Sequence, residues 1–561
     1  MRRTVAALSA VLTASTVFAA SAWPGATRAA AETSAAWPGA TRAAAETSAA
    51  WPGATRAAAE TSAAWPGATR AAAETSAAWP GATRAAAETS AAWPGATRAA
   101  AETSASWPGA TRAAVAEPPA VPADLTSTEV SFRGGGGLKL HGSVISRAGA
   151  EKGRPGVVLV HGAGTGTPRE KLLGEAVAFA RQGMSVLVYD KRSEGYSLFE
   201  RSYQQLADDA LGAMEMLRRQ PGVDPGKVGL WGLSEGGWVV PIAAARSRDV
   251  AFVILVGANG LNPLRQQTWA VAAGLRKAGV SGSLVDRAEH NLYRVIADGG
   301  MFPQPYFDPA PVIGRVRQPV LAIWGVHDLL TPPEETPPIF AKALEAGGNR
   351  RYTFRFFPGA DHAAHLTPDG GVTRLPELAP GYPELVGTWV AQAVSGRTPE
   401  AQVSGPAPEQ ASRTVAVPPT AWWESAGAQL AALVIFLMAF CGYPLVALVR
   451  RIRGRRGVPP VKAARLVSAG GLTAVIGGFS YLFYVIMTGG KLSEPGPLLA
   501  GRPVVWLALQ AVAVATVVAT ALTAARWRRA ATRGERVRLG LVVAGGALFV
   551  PWALYWGLLL P

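Results

Sequence analysis

A serine hydroxyl is a poor nucleophile unless it is held rigidly beside a base. In Gly232-Leu233-Ser234-Glu235-Gly236-Gly237 the holding is written into the residue types. The segment follows the apolar run 228–231 and precedes a helical pattern over 235–246. A G-x-S-x-G sequence between strand and helix forms a sharp turn that lifts its serine out of the sheet. Gly232 and Gly236, with Gly237 beside them, leave room where side chains would collide with neighbouring backbone.

The partners of a serine on such a turn come after it in the order acid, then histidine. Among the histidines that follow Ser234, His327, His362 and His365 are the candidates for the base. His362 stands in Pro358-Gly359-Ala360-Asp361-His362, just after the β-rich run 352–357, and turns at strand C-termini are where a parallel sheet builds its site. His362 is therefore the expected base, with His365 the fallback. The acid that orients the imidazole should come after the preceding strand, 320–324, which makes Asp328 of Gly325-Val326-His327-Asp328 the candidate. Glu334 and Asp361 are substitutes, Asp361 reading better as a turn-former and His327 as a neighbour of the acid. After the run 157–161, His161-Gly162-Ala163-Gly164 offers small residues whose main-chain N–H groups can face a reacting carbonyl. The amides of Ala163 and of Glu235, the residue after the nucleophile, are the expected oxyanion donors.

Rival chemistries fit less well. The glycine loop has neither G-x-G-x-x-G nor the Lys-Ser/Thr ending of a phosphate-binding loop. His362-x-x-His365 offers a zinc ion two ligands and no third, and a lone Cys441 excludes both a disulfide framework and a Cys-type zinc site. No metal or organic cofactor is expected.

These residues need a frame. Two β-rich runs, 130–133 and 138–143, flank four glycines and predict a hairpin. Strands at 157–161, 185–189, 228–231, 252–256, 320–324 and 352–357 then alternate with helical patterns at 171–182, 203–219, 235–246, 338–346 and 382–393. Such alternation predicts an α/β class: a doubly wound, mostly parallel sheet with helices on both faces, over 122–398. Near-continuous apolar runs suit strands buried on both sides.

In chain order, VLVHGAG, YDKRSEGYS, GLSEGG, GVHD and PGADH resemble the α/β-hydrolase superfamily. The stretch 189–261 is most similar to bacterial hydrolases grouped with the acyl-CoA thioesterase/bile-acid acyltransferase C-terminal domain. Dienelactone-hydrolase, serine-aminopeptidase and prolyl-oligopeptidase relatives belong to the same circle. The resemblance covers about half the chain. It implies the α/β-hydrolase fold, with Ser234, Asp328 and His362 as a catalytic triad. Ser193 departs from it, since a DKRGxGxS loop has glycine there. The insertion 262–315, with helical patterns at 266–278 and 283–298, takes the place of a lid over an acyl pocket. Trp269, Leu275, Leu292 and Tyr293 are candidates to line that pocket or to pack within the lid. Lack of a preceding β-propeller weakens an oligopeptidase reading, and Glu194, Glu235 and Glu289 are the candidates to hold a peptide's free amino group.

The net charge of +16 invites a nucleic-acid reading until it is located. Seven basic residues and no acid lie from Arg450 to Arg465, and six with one acid from Arg526 to Arg538. Both clusters separate apolar runs of about 20 residues, at 430–449, 466–487, 503–525 and 539–560, none of which holds an ionisable Asp, Glu, Lys, Arg or His. The charge is thus a topology signal: a C-terminal four-helix transmembrane domain with both arginine-rich loops cytoplasmic and the preceding domain outside, on a bacterial cell membrane. Gln510 is the one strongly polar side chain at membrane depth, which suits an anchor rather than a transport path.

At the N-terminus, Arg2-Arg3, a short apolar stretch and Ala20-Ser21-Ala22 predict a cleaved signal peptide over 1–22. The 14-residue unit WPGATRAAAETSAA then runs six times from Trp23 to Ser106. Pro-Gly in every unit interrupts helix, and one Trp per unit builds no core, so 23–121 reads as repeats and a Pro-rich spacer. A linker is expected over 399–428, with the membrane part over 429–561. Together these features predict a membrane-anchored serine hydrolase acting outside the cytoplasm on small or medium acyl substrates, carboxylic esters or thioesters first. Its other partner is the lipid bilayer, not nucleic acid. A serine peptidase is the alternative within enzymes, and a hydrolase-fold binding or sensor module the non-enzymatic one.

Overall fold

The computed structural model describes residues 121–149, 152–197, 199–397, 400–454, 461–489, 495–527, 529–530 and 532–561. The expected signal peptide, and the repeats and spacer up to residue 120, lie outside the described residues.

Along the chain run β1 (Leu125–Arg133), β2 (Lys139–Arg147), β3 (Arg154–Val160), α1 (Leu173–Arg181), β4 (Ser185–Tyr189), α2 (Tyr203–Arg218), β5 (Val223–Leu233), α3 (Gly236–Arg246) and β6 (Val253–Val256). Then α4 (Pro263–Lys277), α5 (Glu289–Asp298) and α6 (Ala310–Ile313) intervene. They are followed by β7 (Val320–Gly325), α7 (Thr336–Ala346), β8 (Tyr352–Phe357), α8 (Tyr382–Val394) and β9 (Gln402–Ser404). One sheet takes the order β1-β2-β4-β3-β5-β6-β7-β8-β9. β2 pairs antiparallel with β1 and β4, and every later pairing is parallel.

Strand alternation sends neighbouring residues to opposite faces. In β3, Val158 and Val160 join the cluster of Leu206 and Leu217 from α2 and Val239 from α3. Val157 and Leu159 join Phe179 of α1 and Trp389 of α8 on the other face. Each such aliphatic side chain contributes about 1.5–3 kcal/mol by leaving water. A sheet sandwiched this way offers its strand ends for chemistry.

The segment expected as a linker is packed instead. β9 adds a ninth strand beyond residue 398, parallel to β8, and residues 409–426 run as a strap along the insertion. Trp269 Nε1 donates to the Ser412 carbonyl at 2.8 Å, and Arg294 pairs with Glu424 at 2.6 Å. Thr420 Oγ1 and the Ala426 amide both donate to Asp298, at 2.7 and 2.9 Å. Local sequence carries no sign of these partners, which stand about 130 positions apart.

Four helices come next: α9 (Ala426–Ile452), α10 (Lys462–Gly489), α11 (Val504–Trp527) and α12 (Arg533–Tyr555). Each is long and apolar enough to cross a membrane, with mean hydropathy from 1.6 to 2.5 over its most apolar window. The last begins and ends earlier than 539–560: Thr532 Oγ1 accepts the Glu535 amide as an N-terminal cap, and Gly557 takes φ +74° just past the end.

The apolar faces of α4 and α5 pack against these helices. Leu264, Leu275, Leu292 and Tyr293 share one buried cluster with Phe436, Trp506 and Trp552. Leu275, Leu292 and Tyr293 therefore pack in the insertion's seam, while Trp269 packs with Leu330. Gln510 has a use that hydropathy could not show. Its Nε2 donates to Ser283 Oγ at 3.1 Å and to the carbonyls of Gly557 and Leu560 at 3.0 and 2.5 Å. Asn291 Nδ2 donates to the Tyr555 carbonyl at 2.6 Å. The insertion is thus riveted to one end of the bundle.

Gln510→Leu removes those donors and leaves the half-buried Leu560 carbonyl without its side-chain partner, while Ser283 Oγ still donates to Gly557 at 2.9 Å, a loss of about 1 kcal/mol. Hydrogen exchange on the full chain should quicken over 280–292 and stay unchanged in β5–β7. Unchanged exchange over 280–292 would refute the rivet.

Candidate active site

Ser234 sits on the turn between β5 and α3 with φ +55°. That left-handed conformation is strained for any residue with a Cβ, by about 1–3 kcal/mol, and the surroundings enforce it. The Ser234 amide donates to the Val256 carbonyl at 2.9 Å, and the Gly237 amide to the Ser234 carbonyl at 2.8 Å. The three expected glycines are all contact points. A Cβ on Gly232 would strike the Gly236 carbonyl, one on Gly236 would lie 2.7 Å from the Val160 carbonyl, and one on Gly237 2.5 Å from Ala258 Cβ.

His362 lies on the turn after β8 and Asp328 on the turn after β7, and the two meet. Nδ1 of the imidazole is 3.0 and 2.9 Å from the two carboxylate oxygens. Asp328 is fully buried, and its remaining lone pairs are satisfied locally. The amides of Leu330 and Thr331 donate to Oδ1 at 2.8 Å, and Thr331 Oγ1 to Oδ2 at 2.5 Å. Thr331 was missed by sequence reasoning; a Thr three residues past the acid was the available signal. On the far side of the ring, Nε2 of His362 is buried and has no hydrogen-bond partner among the described residues. The ring lies against Gly257, where an added Cβ would come 2.7 Å from Nδ1. Ser234 is tied to Val256 and His362 packs on Gly257, so both converge on the end of β6.

The alternatives are otherwise engaged. His365 bonds through Nδ1 to the Leu375 carbonyl at 3.0 Å and through Nε2 to Glu175 at 3.1 Å. Asp361 accepts from the amides of Ala363 and His365 and from Arg374, and Glu334 is exposed. His327 faces Glu409 at 3.0 Å. His161 Nε2 donates to the Tyr189 carbonyl at 2.8 Å, and burial holds its pKa down to about 4. The zinc reading of the His-x-x-His pair finds no support, since the two rings serve different partners.

Ala163 and Glu235 fall beside the serine. A Cβ on Gly162 would touch Ser234 Cβ at 3.3 Å, and among the described residues neither the Ala163 nor the Glu235 amide donates a hydrogen bond. The Glu235 side chain is a surprise. It is buried and held by the Lys191 ammonium, by Arg201 Nη1 at 2.8 Å and by Tyr196 Oη at 2.8 Å. Burial draws the Lys191 pKa below its ordinary value, and Glu235 opposes that pull. All three partners come from the stretch Lys191–Arg201, which carries Ser193 where the resembled loop has glycine. Gly195, at φ +65°, takes the left-handed position there, while Ser193 keeps negative φ. Of the three acids proposed for an amino group, Glu235 is thus neutralised, Glu194 faces solvent and Glu289 is buried within the insertion, with His290 Nδ1 3.4 Å from its carboxylate.

A serine raised after β5, an acid after β7 and a histidine after β8, on a mostly parallel sheet of this order, are the arrangement of the α/β-hydrolase fold. Within that class, residues 175–374 match the prolyl oligopeptidase family. That segment contains Ser234, Asp328 and His362. The thiohydrolase aneE of Aspergillus aculeatus is 35% identical over 136 residues, 23% of this chain and 41% of that protein. The polyketide transferase claH of Penicillium crustosum is 34% identical over 139 residues, 23% of this chain and 43% of that protein. The match therefore spans about two fifths of these relatives' length. A puromycin-hydrolysing peptidase of Mycobacterium tuberculosis aligns over 50% of this chain and 41% of its own, at 20% identity and a TM-score of 0.34.

The His365–Glu175 pair has a measurable signature. Burial lowers the His365 pKa, but the Glu175 bond and charge outweigh it, and the net shift is upward. A raised histidine stabilises the fold below its unfolded value of about 6.5, and that stability disappears as pH rises through the folded value. The Tm advantage of the native chain over His365→Gln should therefore be full at about pH 6 and shrink towards pH 8. A difference independent of pH would contradict the assignment.

Proposed function

We propose that this chain is a serine hydrolase, fixed to a membrane by α9–α12, that cleaves carboxylic esters or thioesters through an acyl-enzyme. The carrying observation is the buried Asp328–His362 hydrogen bond with Nε2 left free, converging with Ser234 on the end of β6. Ser234 Oγ attacks the carbonyl carbon as His362 Nε2 takes its proton, and Asp328 stabilises the imidazolium. Negative charge gathers on the carbonyl oxygen, opposite the Ala163 and Glu235 amides. The imidazolium then protonates the departing alcohol or thiol, and water, deprotonated by the same nitrogen, releases the acid.

The names of the thiohydrolase and polyketide transferase relatives favour an acyl thioester or ester over a peptide. So does the local charge, since neither Glu235 nor Glu194 offers a free buried carboxylate beside the serine. The prolyl oligopeptidase match keeps peptidase activity as the second reading. An extracytoplasmic placement is supported by polarity along the bundle: the insertion meets the helix ends opposite Arg450, Arg451 and Arg526.

The full chain in lipid nanodiscs, offered nitrophenyl esters of increasing length and aminoacyl nitroanilides, should turn over the esters. Ser234→Ala should cost about 10⁴-fold or more in kcat. Anilide preference would move the reading to a peptidase, and ester turnover that survives Ser234→Ala would refute it.

A further inference from the structure

The proposed oxyanion donors sit on different strand ends, Ala163 after β3 and Glu235 after β5, and something must fix their spacing. We infer that Lys191 is a positioning residue that orients and polarises the Gly162–Ala163 peptide against Glu235; this rests on the acyl-transfer reading above. Lys191 stands just past β4, and β3 lies between β4 and β5 in the sheet. Its side chain therefore reaches across the end of β3. Nζ donates to the Gly162 carbonyl at 2.6 Å and also to the Glu235 carboxylate. One ammonium thus ties three strand ends.

The Gly162 carbonyl and the Ala163 N–H belong to the same peptide unit. In a trans peptide they point in opposite directions, and no cis bond occurs among the described residues. A cation gripping the oxygen therefore aims the N–H away from itself. Charge-assisted bonds are also stronger than neutral ones, and they polarise the group they hold. The Ala163 N–H becomes a better donor at the end that faces the reacting carbonyl.

A second tie reinforces the first. Tyr196 Oη donates to Glu235 Oε2 at 2.8 Å and accepts the Gly164 amide at 3.3 Å, while Lys191 Nζ rests 4.1 Å from the centre of its ring. Arg201 completes the grip on Glu235 at 2.8 Å. Lys191, Arg201 and Glu235 together leave one net positive charge beside the position where a negative charge forms. The Glu235 side chain thus holds in place the residue whose own amide is the second donor.

The test is Lys191→Met in the full chain, with turnover of a nitrophenyl ester and binding of a matched trifluoromethyl ketone, which binds as a tetrahedral oxyanion adduct. The expected result is a fall of about 10- to 100-fold in kcat with KM within about threefold. Affinity for the ketone should fall by the same factor, and affinity for an ether isostere, which cannot form the adduct, should hold. If Lys191→Met fails to fold because Glu235 is left underpaired, Lys191→Met with Glu235→Gln removes that charge and should show the same kcat loss. Unchanged kcat, a rise in KM alone, equal weakening of ketone and isostere, or failure of both variants to fold would each overturn the inference. If Ser234→Ala retains turnover, the acyl-transfer reading itself fails, which is a different result from a normal Lys191→Met beside an inactive Ser234→Ala.

Discussion

A carboxylate removed entirely from water must be met by donors, and at Asp328 that requirement organises the site. Two amides, one hydroxyl and one imidazole converge on it, and each fixes a different part of the protein. The amides and the hydroxyl shape the turn after β7. The imidazole holds His362 on the turn after β8 with Nδ1 turned toward the acid, which leaves Nε2 without a hydrogen-bond partner among the described residues. Loss of any one donor leaves a buried charge underpaired, which is costly by several kcal/mol. The strained serine turn relies on the same sheet, since only rigid strand ends can hold φ +55° at Ser234 against its intrinsic preference.

The same economy governs the insertion. α4 spans from the acid turn, through Gln266 on the Leu330 carbonyl and Trp269 on Leu330, to the bundle, through Leu264 and Leu275. The apolar faces of α4 and α5 are covered by α9–α12. The C-terminal helices are therefore structural partners of the hydrolase region, and the proposed membrane attachment and the proposed chemistry share one packed unit. The strap over 409–426 closes the other side of the insertion with Arg294, Glu424 and Asp298.

Legibility in the sequence tracked the range of the interactions. Strands β3 to β8 were readable because burial on both faces writes itself as local apolar runs, and the β1–β2 hairpin because its β-rich runs flank four glycines. Ser234, Asp328 and His362 were readable because each stands just past a strand, in a turn whose glycines and small residues are visible in one dimension. Thr331 was close enough to be found and was not. β9, a polar three-residue strand in a Pro- and Ala-rich stretch, carries no local signal and depends on an exposed edge at β8. The Glu235 side chain was read as a possible holder of an amino group rather than as a buried ion-pair partner, because Lys191, Tyr196 and Arg201 stand 34 to 44 positions earlier. Gln510 looked like a lone polar group in an apolar run; its acceptors lie on the insertion and just past α12, and no hydropathy pattern shows them.

Everything proposed for the chemistry turns on a covalent acyl intermediate at Ser234. It can be sought by peptide mapping with mass spectrometry of the full chain in nanodiscs, acid-quenched during turnover of a nitrophenyl ester. The mass of the acyl group should appear on the peptide containing Ser234 and disappear when the ester is exhausted. Turnover with no adduct, or an adduct confined to another residue, would contradict the proposed mechanism.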